Sequence, residues 1–293
     1  VATPAQWVEG ARLRTLPMAL APVIAGTAAA QSMWGSDVVR ALLAFAVALL
    51  LQIGVNYAND YSDGIKGTDD DRVGPMRLVG SGAAAPRQVL AAALGCFVLA
   101  MVAGVALVAL SGQWWFLVIG ASAVLAAWGY TGGPWPYGYR GLGDVAVFVY
   151  FGLVAVLCTA VTQAGELNLQ AWIAAVATGL FACALLMANN IRDIPGDQEV
   201  GKRTLAVRLG DRWARVVFTA ELGLAFALHV FLLPQNPWFL LVLLAAPLAI
   251  MAARTVLGAT ERTALIPVLK QCGILNLVWS VLFLIAVVAH QSL

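Results

Sequence analysis

Residues 56–81 read NYANDYSDGIKGTDDDRVGPMRLVGS. The stretch lies between two long apolar runs and holds Asp60, Asp63, Asp69, Asp70 and Asp71, five of the ten aspartates in the chain. Carboxylates are costly inside a hydrocarbon layer, so they belong at the end of a spanning helix and in the loop that follows it. A second stretch answers the first. Residues 189–210 read NNIRDIPGDQEVGKRTLAVRLG and carry Asp193, Asp197 and Glu199.

Outside these two stretches the sequence is mostly apolar. Of 293 residues, 61% are hydrophobic and 11% charged, and the mean hydropathy is +0.86. A soluble domain carries about 25% charged residues. The composition therefore specifies an integral membrane protein. The net charge of +2 is too small for a nucleic-acid surface. Cys96, Cys158, Cys183 and Cys272 are scattered through apolar runs, without the spacing of a disulfide framework or a metal site. The N-terminal residues show no signal-peptide core followed by a cleavage site, so the first apolar run is expected to be a span.

A spanning helix needs about 20 mainly apolar residues. Nine runs qualify, near residues 16–32, 39–58, 87–110, 114–129, 145–162, 171–190, 214–233, 238–257 and 267–289. The expected fold class is all-α: one membrane domain over residues 1–293, a bundle of nine transmembrane helices. Trp34, Trp114, Trp115, Trp172, Trp213 and Trp238 fall at run ends, where an interfacial aromatic belt belongs. With nine spans, 16 of the 17 lysines and arginines fall on one side, and only Arg40 on the other. The positive-inside rule makes the basic side cytoplasmic. The N-terminus and both Asp-rich stretches then face the cytoplasm, across the cell (inner or plasma) membrane. The C-terminus faces away. Asp193 lies four spans after Asp60, which suggests a parallel pseudo-repeat of spans one to four and five to eight, plus span nine.

The chemistry follows from residue types at helical spacing. Asp60 and Asp63 are i, i+3, and Asn59 and Asp63 are i, i+4. If the second span continues as helix to Asp63, all three share a face. Asn189, Asp193 and Asp197 repeat at i, i+4, although Pro195 is expected to kink or end that helix. Oxygen ligands of this kind suit Mg²⁺, which binds one or two carboxylates and completes its shell with water and phosphate oxygens. His229 and His290 lie far from these groups, which argues against zinc. Lys66, Arg72, Arg77, Arg192, Lys202 and Arg203 are interleaved with the acids. Metal and cations together suit a diphosphate. A competing use of the same aspartates is the ion site of a cation or solute transporter. Such sites lie near the bilayer midplane rather than at one face.

These motifs resemble a known family. NDYSD followed by KGTD, and NNIRDIPGD followed by GKRTLAVRLG, are similar to the two Asp-rich motifs of the UbiA superfamily of membrane aromatic prenyltransferases. RLRTLPMALAPVIAG, ANDYSDGIKGTDDDRVGPMRLVGSG and YTGGPWPYGYRGLGD resemble its 1,4-dihydroxy-2-naphthoate branch, which serves menaquinone synthesis. The resemblance implies nine helices and transfer of a polyprenyl group from a polyprenyl diphosphate to the naphthoate, with loss of CO₂. It implies Mg²⁺ held by Asn59, Asp60, Asp63, Asp193 and Asp197, with Asn189 and Asp69 as weaker ligands. Gly67 stands where the superfamily often has a third Asp, which demotes Asp69. The implied diphosphate braces are Arg77, Arg192, Lys202 and Lys66, followed by Arg72 and Arg203. Tyr130, Tyr137 and Arg140 are the implied acceptor contacts. Pro134 stands four residues after Tyr130, where benzoate-type members often carry Lys, and this argues against 4-hydroxybenzoate as acceptor. Another aromatic acceptor remains the alternative within the superfamily. Glu221, an ionisable group within span seven, has no role in this scheme.

Overall fold

The computed structural model describes residues 2–12, 15–66 and 76–292. The candidates Asp69 and Arg72 lie outside them. The described residues are helical throughout, with no strand among them. A short helix α1 (Pro4–Gly10) leads into α2 (Pro17–Ser32), α3 (Val38–Lys66), α4 (Pro86–Ser111) and α5 (Phe116–Gly129). After a loop containing a 3₁₀ turn at Tyr137–Arg140 come α6 (Gly143–Ala164), α7 (Leu169–Glu199), α8 (Leu205–Phe231), α9 (Pro237–Gly258) and α10 (Arg262–Gln291).

Seven of these, α3, α4 and α6–α10, are long and apolar enough to cross a membrane. With the exposed Leu99, Val102, Leu240 and Leu244 on their outer faces, they make this a multi-pass membrane protein. Apolar side chains around a bundle face lipid at no cost. The other two expected spans correspond to α2, of 16 residues, and α5, of 14 residues. At 1.5 Å per residue α5 is about 21 Å long, short of the roughly 30 Å hydrocarbon core. The exposed Trp114 and Trp115 precede it, and the α5–α6 loop begins directly after it.

Local signals set the helix ends. Pro4, Pro17, Pro86 and Pro237 begin helices, where a missing N–H costs nothing. Asn168 and Thr204 cap α7 and α8 by accepting from Ala171 N (2.9 Å) and Val207 N (3.3 Å). Gly112 and Gly165 close α4 and α6 at φ of 73° and 81°.

Helix α7 is the axis of the bundle: 72% of its most apolar window is buried, against 17% for α3. Around it, Phe181, Phe218, Phe239, Trp279 and Phe283 join α7–α10 in one core. Helix α6 crosses it closely. A Cβ on Gly152 would lie 2.6 Å from both Gly179 Cα and Ala175 O, so backbone meets backbone there. The same part of α6, Phe148–Val154, is wound as π-helix.

One sequence expectation is corrected here. Pro195 does not end the helix; α7 runs on to Glu199 with Pro195 inside it. A proline leaves the carbonyl four residues earlier without its N–H partner. That carbonyl belongs to Ile191, and Arg262 Nη1 donates to it at 2.8 Å. The second Asp-rich group therefore rides on a continuous helix. Gly210, at φ 75° and ψ 162°, bends the start of α8.

Candidate active site

The two Asp-rich groups occupy the C-terminal ends of α3 and α7. Both helices run from the opposite face to this one, so their acids arrive at the same end. A cavity of about 670 Å³ opens among the N-terminal arm, α2–α7 and the start of α10. Its polar end is lined by Asn59, Asp63, Arg77, Asn189, Arg192 and Lys202. Away from them the walls are Val23, Val47, Leu107, Val154 and Cys158. From Val47 to Asp63 along α3 the cavity is about 24 Å long.

The first group divides between two directions. Asn59 and Asp63 line the cavity, but Asp60 does not. Asp60 is 1% exposed, and its oxygens accept from Leu78 N (2.7 Å) and Val79 N (3.1 Å). The expectation that all three share one face therefore needs correction. At about 100° per residue, Asp60 turns toward the returning chain while its neighbour Asn59 faces the cavity. Asn59 Oδ1 accepts from Thr131 Oγ1 at 2.8 Å.

The second group is tied to its own cations. Arg192 donates to both oxygens of Asp193, from Nε at 2.7 Å and Nη2 at 2.8 Å, and from Nη2 to Asn189 Oδ1 at 2.8 Å. Lys202 Nζ lies 3.2 Å from Asp197 Oδ1. Arg77, in the non-helical chain before α4, has its Nη2 4.0 Å from Asp63 Oδ2 on α3.

Tyr139, in the α5–α6 loop, joins the two groups. Its hydroxyl donates to Asp63 Oδ1 at 2.9 Å. Lys66 Nζ lies 4.9 Å and Lys202 Nζ 5.4 Å from its ring centre, within range of a cation–π contact. Its carbonyl accepts from Arg203 N at 2.9 Å. Sequence reasoning missed this residue. The YGYR turn was visible, but nothing in it distinguishes Tyr139 from Tyr137 without the fold.

The remaining candidates fall into place around this core. Lys66 Nζ donates to Thr131 O at 2.6 Å and does not line the cavity. Arg203 is exposed. Arg140 is also exposed, with its guanidinium 3.5 Å from the Trp135 ring centre, and does not line the cavity. Tyr130 and Tyr137 do line it, edge to face at 5.5 Å. Tyr137 donates to Ala126 O at 2.7 Å. Burial lifts the Tyr130 phenol above its usual range, and Asp144 and Tyr137 act in the same direction. Burial does the same to Tyr137, with Tyr150 adding to it. Both rings are therefore neutral hydrogen-bond donors at physiological pH. Glu221 sits on α8, away from the cavity lining.

Of the oxygen donors around the polar end, Asn59, Asp63 and Asn189 line the cavity, while Asp193 and Asp197 pair with the lining residues Arg192 and Lys202 and do not line it themselves. Such a donor set suits Mg²⁺. Among the described residues no three His, Cys, Asp or Glu side chains form a protein-only metal cage. Mg²⁺ ions shared with phosphate oxygens need none.

Comparison with known proteins places the chain in a family and a fold. The model of the UbiA prenyltransferase family matches residues 19–267. The chain is 53% identical over 276 residues to a Mycobacterium tuberculosis protein, 1,4-dihydroxy-2-naphthoate octaprenyltransferase, with 94% of each chain covered. Its fold is similar to that of a UbiA homolog from Aeropyrum pernix K1, at TM-score 0.71, 18% identity and coverage of 96% and 99%. It is also similar to an Archaeoglobus fulgidus UbiA homolog bound to GPP and Mg²⁺, at TM-score 0.65, 15% identity and coverage of 98% and 99%.

Proposed function

The chain belongs to the UbiA prenyltransferase family, and from that premise we propose that it transfers a polyprenyl group from a polyprenyl diphosphate to 1,4-dihydroxy-2-naphthoate, releasing diphosphate and CO₂. The reading of the aspartates as a transporter's ion site falls with family membership. The observation that carries the proposal is a charged end and an apolar body in one cavity: Asn59, Asp63, Arg77, Asn189, Arg192 and Lys202 at one end, and a long greasy wall beyond them.

The diphosphate lies at the charged end. Arg77, Arg192 and Lys202 face it, and Asn59, Asp63 and Asn189, with Asp193 and Asp197 beside Arg192 and Lys202, would hold Mg²⁺ there. Bound there, Mg²⁺ supplies positive charge to the leaving group. The allylic C–O bond breaks and its electron pair leaves with the diphosphate. Charge developing on that oxygen is met by cations already in position, which lowers the barrier without reorganisation. The apolar walls keep water from the allylic cation. The naphthoate ring forms the new C–C bond, the carboxylate departs as CO₂, and the electrons of that bond restore aromaticity. No strong base is needed for this step. Tyr130 and Tyr137 line the cavity as neutral donors and are the proposed acceptor contacts. Arg140 is a poor candidate for that role, because it is committed to Trp135 outside the cavity.

Asp60 is better suited to shaping the site than to ligation, since both its oxygens are engaged by backbone amides. The proposed topology is nine passes, with the charged end on the cytoplasmic side. A reporter fused after residue 293 should then read as non-cytoplasmic, and a cytoplasmic signal would refute the count.

The acceptor is tested with carboxyl-labelled 1,4-dihydroxy-2-naphthoate and 4-hydroxybenzoate in parallel. Labelled CO₂ in step with prenylated naphthol is expected. Ready prenylation of the benzoate with none of the naphthoate would overturn the acceptor assignment.

A further inference from the structure

The N-terminal arm and α3 build a second polar patch in the cavity wall, apart from the Asp-rich groups. It consists of Thr15, Gln52 and Asn56, which all line the cavity. Gln52 lies seven residues before Asn59, two turns along the same face of α3 and about 10 Å deeper. It is 6% exposed. Gln52 Nε2 donates to Thr15 Oγ1 at 3.1 Å and to Asn56 Oδ1 at 3.5 Å. Thr15 Oγ1 in turn donates to Arg12 O at 2.9 Å, and Asn56 Nδ2 donates to Ala11 O at 2.9 Å.

This network fixes the orientation of the Gln52 amide. Flipping it would set Oε1 against Asn56 Oδ1, acceptor on acceptor. In the orientation found, Gln52 Oε1 is buried with no hydrogen-bond partner. Among its cavity-lining neighbours, Thr15 and Asn56 spend their donors on the Arg12 and Ala11 carbonyls, the Arg12 guanidinium makes no hydrogen bond to it, and Ala48, Leu51, Val55 and Met18 carry no side-chain N–H or O–H. A buried acceptor beside a cavity is expensive unless a donor arrives from elsewhere.

We propose that Gln52 recognises the acceptor, its Oε1 receiving a hydrogen bond from a ring hydroxyl of a hydroxylated aromatic carboxylate. The proposal rests on the prenyl-transfer reading above and names the acceptor side of that same cavity. Asn59 and Asp63 mark the polar end of the cavity, where the diphosphate of the donor is placed. A ring anchored two turns deeper lies beside the chain just below the diphosphate, where the allylic carbon is. A group that donates O–H fits this site, and an ether or a bare ring does not. The arm is part of the subsite because Thr15 and the Arg12 and Ala11 carbonyls orient the two amides.

The test uses the full chain purified in detergent, with a prenyl diphosphate and either 1,4-dihydroxy-2-naphthoate or its mono-O-methyl ethers. Gln52→Met keeps the side-chain length and removes the acceptor. The naphthoate KM should rise about tenfold, while the prenyl diphosphate KM and kcat stay within about twofold. The methyl ether of the recognised hydroxyl should show a similar penalty with the wild type and no further penalty with Gln52→Met. Thr15→Val should shift the naphthoate KM in the same direction by less. An unchanged naphthoate KM in Gln52→Met, or an equal rise in both KM values, overturns the subsite and leaves Oε1 a structural acceptor. If Gln52→Met does not fold, the ethers decide with the wild type alone: ether KM values equal to that of the parent overturn the subsite. No turnover of the naphthoate by the wild type would instead overturn the acceptor assignment and leave Gln52 out of the question.

Discussion

Tyr139 donates its hydroxyl to Asp63 across 2.9 Å, and through this bond the α5–α6 loop holds the first Asp-rich group against the second. The same ring lies under Lys66 and Lys202, and Lys202 pairs with Asp197. One aromatic side chain thus touches both halves of the charged site.

Its removal separates two contributions. Tyr139→Phe should lower turnover about tenfold, the worth of one hydrogen bond to a charged group. It should leave the melting temperature nearly unchanged. Tyr139→Ala should cost more, because the face presented to the two ammonium groups is also lost. Wild-type turnover in Tyr139→Phe would show that Asp63 needs no help in orientation.

The acids should split by mutation as they split by geometry. Asp63→Asn and Asp193→Asn should lower turnover about a hundredfold or more while the protein purifies and melts normally. Asp60→Ala should instead lower stability by about 2–3 kcal/mol, since two backbone amides lose a charged acceptor. Melting in detergent, followed alongside product formation, distinguishes these outcomes. A stable but inactive Asp60→Ala protein would return Asp60 to the ligand set.

How far the sequence could be read depends on distance along the chain. The apolar runs are local signals, and each matches a helix, with α2 and α5 shorter than a full span. Asn59 and Asp63, or Asn189 and Asp193, are likewise legible at i, i+4. The work of Asp60 is not, because its partners Leu78 and Val79 lie 18 and 19 residues further along the chain. Arg140 looked like a cavity residue because it follows Tyr137 in one motif, yet a tight turn sends it outward to Trp135. Gln52 reads as an ordinary polar residue in an apolar run until the arm folds onto it.

Turnover should require a divalent ion, and Mg²⁺ should serve. EDTA should stop the reaction and Mg²⁺ restore it, because a leaving diphosphate carries more charge than Arg77, Arg192 and Lys202 neutralise. The readout is product formed against free Mg²⁺. Asp193→Asn should move the midpoint of that curve upward by about tenfold. Full activity in exhaustively chelated protein would remove the metal role from all five donors.

The last prediction concerns how the second group keeps its helix. Pro195 lies inside α7 and deprives the Ile191 carbonyl of its helical donor. Arg262 supplies a donor from the start of α10 at 2.8 Å, and it also pairs with Asp211. Arg262→Ala should therefore cost about 1–3 kcal/mol, the penalty for leaving a buried acceptor without a partner. It should also lower turnover, because Asn189, Arg192 and Asp193 flank that carbonyl. Pro195→Ala restores an N–H four residues after Ile191. In that background the carbonyl has a helical partner, so Arg262→Ala should cost about 1 kcal/mol less. A thermal-melt double-mutant cycle measures the difference. Equal costs in both backgrounds would mean that Arg262 acts only through Asp211, and the continuity of α7 would then need another explanation.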